Sequence, residues 1–149
     1  MILDQLSLFS DAQAITASAA SQNVYDLGAT GFVTYNAGIG DKKQLKRSFP
    51  RSVEIPLLIQ VVEDFAGLTA LKFKVQSDDN VGFSSPKDLI CQDVPLADLK
   101  AGFTSAIDKI PSDIKERYIR IFFEVVAGPA TAGKITSGVV GAVDESYKG

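Results

Sequence analysis

The sequence predicts an all-β protein, a single jelly-roll or β-sandwich-like domain with an extended amino-terminal arm. The strongest apolar patterns repeat every second residue, which is typical of strands buried on one face. Turn-forming segments separate these runs at intervals of roughly eight to twelve residues. Strand and helix patterns do not alternate as they do in a parallel α/β sheet.

Three runs carry the period-two pattern most clearly. They begin at Val53, Leu71 and Ile119, and in each run the odd-numbered residues are apolar while polar or charged residues occupy positions between them. A helix would need apolar residues three and four positions apart. We therefore predict three half-buried strands, with Pro56 at a sheet edge or bulge because proline cannot donate a ladder hydrogen bond.

Weaker strand patterns and turn signals complete the domain. The weaker strands cover residues 24–27, 89–94 and 135–143, and the turns cover residues 64–67, 78–86, 111–113 and 128–133. Helix is expected to be scarce. Residues 96–110 show some helical spacing, but they also suit a connection with one short turn.

The amino-terminal segment has a different composition. Residues 1–23 begin with apolar side chains, including Leu3, Leu6 and Phe9, and continue with many alanines. We interpret this segment as an extended arm that packs on the domain or on a partner, followed by a β-sandwich domain over residues 24–149. The length of 149 residues suits one domain.

Composition narrows the possible partners. The net charge of −3, without a basic excess, argues against a nucleic-acid partner. The longest strongly apolar segment, residues 55–62, is far shorter than a membrane span, so no membrane partner is expected. The start lacks the basic region of a signal peptide. The single cysteine, Cys91, fits a reducing compartment such as a cytoplasm, and we expect it to be semi-buried on a strand.

Catalysis and cofactor binding are not expected. The chain contains no histidine, which excludes histidine-based nucleophile pairs and His-bearing zinc sites. Residues 128–134 are better explained as a turn than as a phosphate loop, because a strand pattern follows them. Residues 78–80 are better explained as a solvated turn than as a calcium loop, because their ligand spacing is wrong. We predict no catalytic residue, cofactor or metal.

Two basic groups remain open to more than one interpretation. Lys42, Lys43, Lys46 and Arg47 belong to a sharp basic cluster, which is either a solvated loop or a contact for an acidic protein surface. Arg117 and Arg120 flank Tyr118 at the start of the strongest strand. They form either an interface anchor or an ordinary exposed sheet face.

Three stretches together resemble a known family. The first covers residues 8–14 and 21–28, the second covers residues 76–80 and 83–86, and the third covers residues 117–121 and 128–140. Their combination is similar to the capsid cement, or decoration, proteins of tailed phages, of the type first recognised in a Bordetella phage. The similarity extends from near residue 3 to near residue 143.

The resemblance implies a structural virion protein with a jelly-roll fold. Proteins of this type assemble as homotrimers on the outside of the capsid and stabilise the shell by bridging major capsid protein subunits, after synthesis in the host cytoplasm. The candidate contact residues are those of the arm, the basic cluster and the arginine pair: Leu3, Leu6, Phe9, Lys42, Lys43, Lys46, Arg47, Arg117 and Arg120.

Two other functions are compatible with an all-β fold. One is a carbohydrate- or receptor-binding jelly-roll module of a phage particle, although such sites often use tryptophan and this chain contains none. The other is an enzyme that uses two of the carboxylates Asp78, Asp79, Glu124 and Asp144. Sequence alone cannot place any two of these carboxylates at the separation of about 5–9.5 Å that glycosidases require.

Overall fold

A computed structural model describes residues 3–36, 40–44, 54–112 and 114–141. The strands, in chain order, are β1 (Leu3–Ala14), β2 (Ala19–Ala20), β3 (Tyr25–Asp26), β4 (Phe32–Asn36), β5 (Asp41–Gln44), β6 (Leu57–Ala66), β7 (Ala70–Asp78), β8 (Lys87–Pro95), β9 (Tyr118–Val126) and β10 (Ala132–Val140). One 3-10 helix, Leu96–Asp98, is the only helical element in these residues. The predicted all-β class is confirmed. Among the residues described, no helix has the length and apolar character needed to span a membrane.

The strands form two main antiparallel sheets and a separate hairpin. Sheet A has the order β1–β10–β6. Sheet B has the order β9–β7–β8, and β2 and β3 both pair with the remaining edge of β9. Strands β4 and β5 pair with each other as a two-stranded sheet.

The core lies between sheets A and B. The alternating residues of β7 and β9 that point inward are buried, and Phe73 meets Phe123 edge-on with ring centroids 6.1 Å apart. Phe9 and Ile135 of sheet A belong to the same apolar cluster. The period-two prediction for these strands is therefore confirmed, and the two sheets form a β-sandwich.

Both edges of sheet A are covered by other parts of the chain. Residues 20–25 run along β1, where the Asn23 N–H donates to the Phe9 carbonyl at 2.9 Å. Residues 99–110 run along β6, where the Val61 N–H donates to the Phe103 carbonyl at 2.9 Å. The segment after the 3-10 helix is thus an extended connection, because its backbone hydrogen bonds go to β6.

Some predicted strand boundaries and one predicted burial differ from the structure. Strand β6 begins at Leu57, and Pro56 before it forms an isolated bridge with Lys109. The expected amino-terminal arm contains β1, which pairs with β10 over residues 3–14. Cys91 is exposed rather than semi-buried, because it lies on the outer face of β8 opposite Lys74.

Glycine is required at position 133, near the start of β10, where the strand passes close to Phe65 of β6. Gly133 has φ of 133°, and a Cβ atom there would lie 2.3 Å from the Phe65 ring. The missing side chain lets Phe65 fill the core beneath the strand. This explains a glycine near the start of a strand, where it otherwise weakens the sheet.

Candidate interface at one end of the sandwich

The two ends of the sandwich differ in structure. At one end, residues 67–69 and 127–131 make short turns from β6 to β7 and from β9 to β10. The opposite end, which we call the loop end, contains the far termini of these strands. It is formed by residues 4–7, 26–32, 79–86, 111–112 and 114–117 together with the carboxyl end of β10. Longer and more exposed segments therefore gather at the loop end.

Residues 4–7 form a wide bulge in the edge strand β1. Leu3 pairs with Val140 and Leu8 pairs with Gly138, so four residues of β1 stand opposite Val139 alone. The Ser7 hydroxyl lies 2.8 Å from the Asp4 carbonyl and 3.0 Å from the Val139 carbonyl. This bulge projects Leu6, whose surface is 90% exposed. Bulges often redirect a side chain in this way.

A shallow depression of about 400 Å³ adjoins the bulge. Its lining carries no formal charge and consists of Gln5, Leu6, Leu8, Gln22, Asn23, Val24 and Tyr25. The Tyr25 hydroxyl donates to the Ser7 carbonyl, and burial raises the pKa of this phenol. The tyrosine thus connects the floor of the depression to the bulge.

The β7–β8 loop, residues 79–86, is held in one conformation by Asp78. The Asp78 carboxylate accepts the N–H of Asn80 at 3.0 Å and of Ser85 at 2.8 Å, and these bonds lower its pKa. Phe83 has φ of 50°, which is unusual for a bulky residue. Its N–H donates to the Asn80 carbonyl at 2.9 Å. The braced loop presents Val81, which is 64% exposed.

Arg120 lies between aromatic rings on the outer face of sheet B. Its guanidinium is 4.1 Å from the Phe83 ring centroid and 5.3 Å from that of Phe122. Its Nε donates to the Gln76 side-chain oxygen at 2.9 Å. Burial lowers the pKa of this guanidinium. Arg120 therefore fastens the β7–β8 loop to the sheet.

Arg117 joins three segments of the loop end. Its guanidinium donates to both carboxylate oxygens of Asp26, at 2.6 and 2.7 Å, which raises the pKa of Arg117. Its backbone N–H donates to Asp79 at 3.1 Å. The guanidinium also lies 5.1 Å from the Tyr118 ring centroid. Both arginines are thus engaged within the chain itself.

Glu116 is a buried carboxylate at the same end. It accepts hydrogen bonds from the Lys87 ammonium and from the Ser77 hydroxyl, the latter at 3.0 Å. The Lys87 hydrogen bond lowers the pKa of Glu116 more than burial raises it. The pair links β8, β7 and the segment before β9, and it stiffens the loop end.

The candidate contact residues fall in different places. Leu3 begins β1, and Leu6 projects from the bulge. Arg117 directly precedes β9 and Arg120 is its third residue, so these four residues belong to the loop end. Phe9 is in the core, with its ring centroid 4.2 Å from that of Tyr25. A side chain packed there is not available to a partner of the folded chain.

The basic cluster belongs to the segment that contains the β4–β5 hairpin. Lys42 and Lys43 lie on β5, whereas Lys46 and Arg47 lie outside the described residues. On the two sides of the hairpin in the sequence, the Leu27 N–H donates to the Arg117 carbonyl at 2.8 Å, and Glu54 pairs with Lys109 at 2.8 Å. Both of these positions lie at the loop end.

Sequence reasoning missed two features of the loop end. The turn predicted over residues 78–86 anticipates neither the exposure of Val81 nor the stacking of Phe83 on Arg120. Phe83 within a turn segment was the available signal, because a large apolar residue in a short loop usually covers something. No local pattern marks the bulge that exposes Leu6, because it depends on pairing with β10.

These features define a small antiparallel β-sandwich protein with one end built from braced, partly apolar loops. The Bbp16 family model matches residues 9–139 of the 149-residue chain. The chain therefore belongs to the Bbp16 family, a family of phage proteins. A search of curated proteins found no match.

Proposed function

We propose that this chain is a non-enzymatic structural protein of the phage particle. In this proposal it binds the outside of the capsid as a homotrimer and stabilises the shell by bridging major capsid protein subunits. Membership of a phage protein family supports a virion role. The observation that carries the proposal is the loop end, where exposed apolar side chains stand on segments fastened by the chain's own hydrogen bonds.

Rigid support suits Leu6 and Val81 to binding a protein surface. Leu6 stands on a bulge held by Ser7, and Val81 stands on a loop held by Asp78. A contact side chain on a pre-organised backbone loses little conformational entropy when it binds. Apolar residues of this kind, surrounded by polar ones, form the centre of many protein interfaces.

Trimer formation would raise the overall affinity for the capsid above that of a single modest contact. When three copies are joined, the second and third contacts become intramolecular, and avidity can exceed single-site affinity by about 10²–10⁴-fold. A protein that bridges neighbouring shell subunits needs rigidity, symmetry and complementary patches. The hydrogen bonds and ion pairs that link the segments of the loop end supply the rigidity.

A carbohydrate- or receptor-binding role is the second candidate. The uncharged depression beside Tyr25 favours it, because carboxamides and apolar side chains suit a neutral polyhydroxyl ligand. However, the Asn23 amide already donates to the Leu8 carbonyl at 2.9 Å. The side-chain oxygen of Gln22 accepts the Asp11 N–H at 2.9 Å. Binding to a glycan array by the purified protein would favour this role.

Co-sedimentation with capsids of the same phage tests the first proposal. We expect stoichiometric pelleting and a trimer mass by light scattering. Leu6→Asp and Val81→Asp should each reduce pelleting at least tenfold without changing the thermal midpoint. Val62→Asp is the matched control, because Val62 is an exposed apolar residue in the middle of β6. A monomer that does not pellet would overturn the proposal, and equal pelleting by all three variants would remove the loop end from it.

A further inference from the structure

Strand β8 leaves one edge of sheet B open. It runs for nine residues, from Lys87 to Pro95, and in the described part of the chain it pairs with β7 alone. The outer edge of β9 is covered by β2 and β3, and both edges of sheet A are covered as well. An uncovered edge presents backbone N–H and C=O groups that can pair with a strand from another chain.

The β4–β5 hairpin lacks a third strand among the residues described. Its two strands pair with each other and with neither sheet among the residues described. A two-stranded hairpin is marginally stable by itself in water, whereas a third strand makes it secure. In the described part of one copy, no pairing joins the hairpin to β8.

Charge favours β5 as the strand that meets β8. Strand β5 carries Lys42 and Lys43. The outer face of β8 carries Asp88 and Asp93 on either side of Cys91. They pair with Lys74 at 3.0 Å and Lys72 at 3.9 Å on β7, and their side chains are still 42% and 65% exposed. Opposite charges on neighbouring strands stabilise pairing and select the partner.

From this geometry we infer that β5 of one copy adds to the open β8 edge of a second copy. The contact is heterologous, since each copy offers its hairpin to one neighbour and its β8 to another. Three such contacts close a ring. The inference rests on the proposed homotrimer and names the strands that hold it together.

The single cysteine makes the contact measurable. Cys91 is the chain's only cysteine, and it is exposed in the middle of β8. A second cysteine in a paired strand can form a disulfide only when the two Cα atoms lie within about 7 Å. We would make four separate variants of the full chain, Asp41→Cys, Lys42→Cys, Lys43→Cys and Gln44→Cys, and oxidise each one. Thr131→Cys, at the opposite end of the sandwich, is the control.

We expect intermolecular disulfides on non-reducing gels to be strongest at the β5 position that lies opposite Cys91 and weak at its immediate neighbours in the strand. This contrast follows because neighbouring residues of a strand point to opposite faces. The bands should disappear when Cys91→Ser is added. Cross-linking no stronger than in Thr131→Cys, a disulfide within one chain, or efficient Cys91–Cys91 linkage in the unmodified protein would each overturn the inference.

The outcome separates this inference from the proposed function. Trimer mass and capsid pelleting without the position-specific cross-links would leave the cement role standing and remove the β5–β8 contact. Position-specific cross-links in a protein that never pellets with capsids would support the contact and remove the cement role.

Discussion

The Arg120 guanidinium lies 4.1 Å from the centroid of the Phe83 ring, and the two residues come from different segments that meet on the outer face of sheet B. Phe83 is buried although it belongs to a loop, and it adopts a left-handed backbone conformation to reach this position. The ring covers the Arg120 guanidinium, whose Nε donates to the Gln76 side-chain oxygen. The loop end thus has a small apolar centre of its own.

Removing the Phe83 ring should destabilise the protein. We expect Phe83→Ala to lower the free energy of unfolding by about 2–3 kcal/mol, because a buried aromatic surface and a cation–π contact are both lost. Urea denaturation measures the change. Val81→Ala, in the same loop but exposed, should change it by less than about 0.5 kcal/mol. Equal effects of the two substitutions would show that Phe83 does not hold the loop.

Gly133 should be intolerant of any side chain. Gly133→Ala would place a Cβ 2.3 Å from the Phe65 ring at a φ of 133°. We expect a loss of about 2–4 kcal/mol from overpacking and backbone strain together. Gly141→Ala is the matched control, since a Cβ there meets nothing within 4 Å. Thermal unfolding of both variants checks the contrast, which would be absent if β10 could shift to make room.

Glu116 should make stability depend on pH in acid. Its pKa is lowered in the folded state by Lys87, so the unfolded chain binds the proton more readily. The associated stability is complete above the ordinary glutamate pKa of about 4.3 and is lost as the pH falls through the lower folded value. Urea titrations between pH 7 and pH 3 measure this loss.

Substitution isolates the contribution of this carboxylate. Glu116→Gln should be less stable than the unmodified protein at pH 7, and its stability should fall less on acidification. Glu54→Gln, whose side chain is 71% exposed, should change the free energy of unfolding little at pH 7. An unchanged acid slope in Glu116→Gln would place the pH dependence elsewhere.

Cys91 should react in the folded protein. Because it lies exposed on the outer face of β8, a thiol reagent should modify it without denaturant. Cys91→Ser should alter the free energy of unfolding by less than about 0.5 kcal/mol, as expected for a surface position. Mass spectrometry of the labelled native protein is the measurement. Labelling that requires urea would mean that a partner copy or another part of the chain covers the strand.

Local sequence patterns were sufficient to predict the central strands of the core. The runs from Leu71 and Ile119 alternate because one face of each strand is buried against sheet A, and the side-chain period of a strand is two. The weak signal over residues 96–110 was also informative, since a connection with one short turn is what forms there. These features depend on residues near one another in the chain.

The features that sequence reasoning missed depend on distant partners. The β1 bulge exists because Leu3 and Leu8 align with two nearly adjacent residues of β10. The exposure of Cys91 follows from the position of β8 at a sheet edge, which no local pattern encodes. Phe83 is buried because Arg120 is present on another strand. Tertiary contacts determine each of these cases.

The central position of β10 has a consequence for how the protein is made. It is the last of the described strands to leave the ribosome, yet both β1 and β6 pair with it. The Ala12 N–H, for example, donates to the Thr136 hydroxyl across 124 positions. Sheet A therefore closes only after β10 has been synthesised, and until then β1 and β6 lack the strand that joins them. Such long-range pairing is slow, with refolding expected on the scale of roughly milliseconds to seconds, and the nascent chain is most prone to aggregate just before β10 appears.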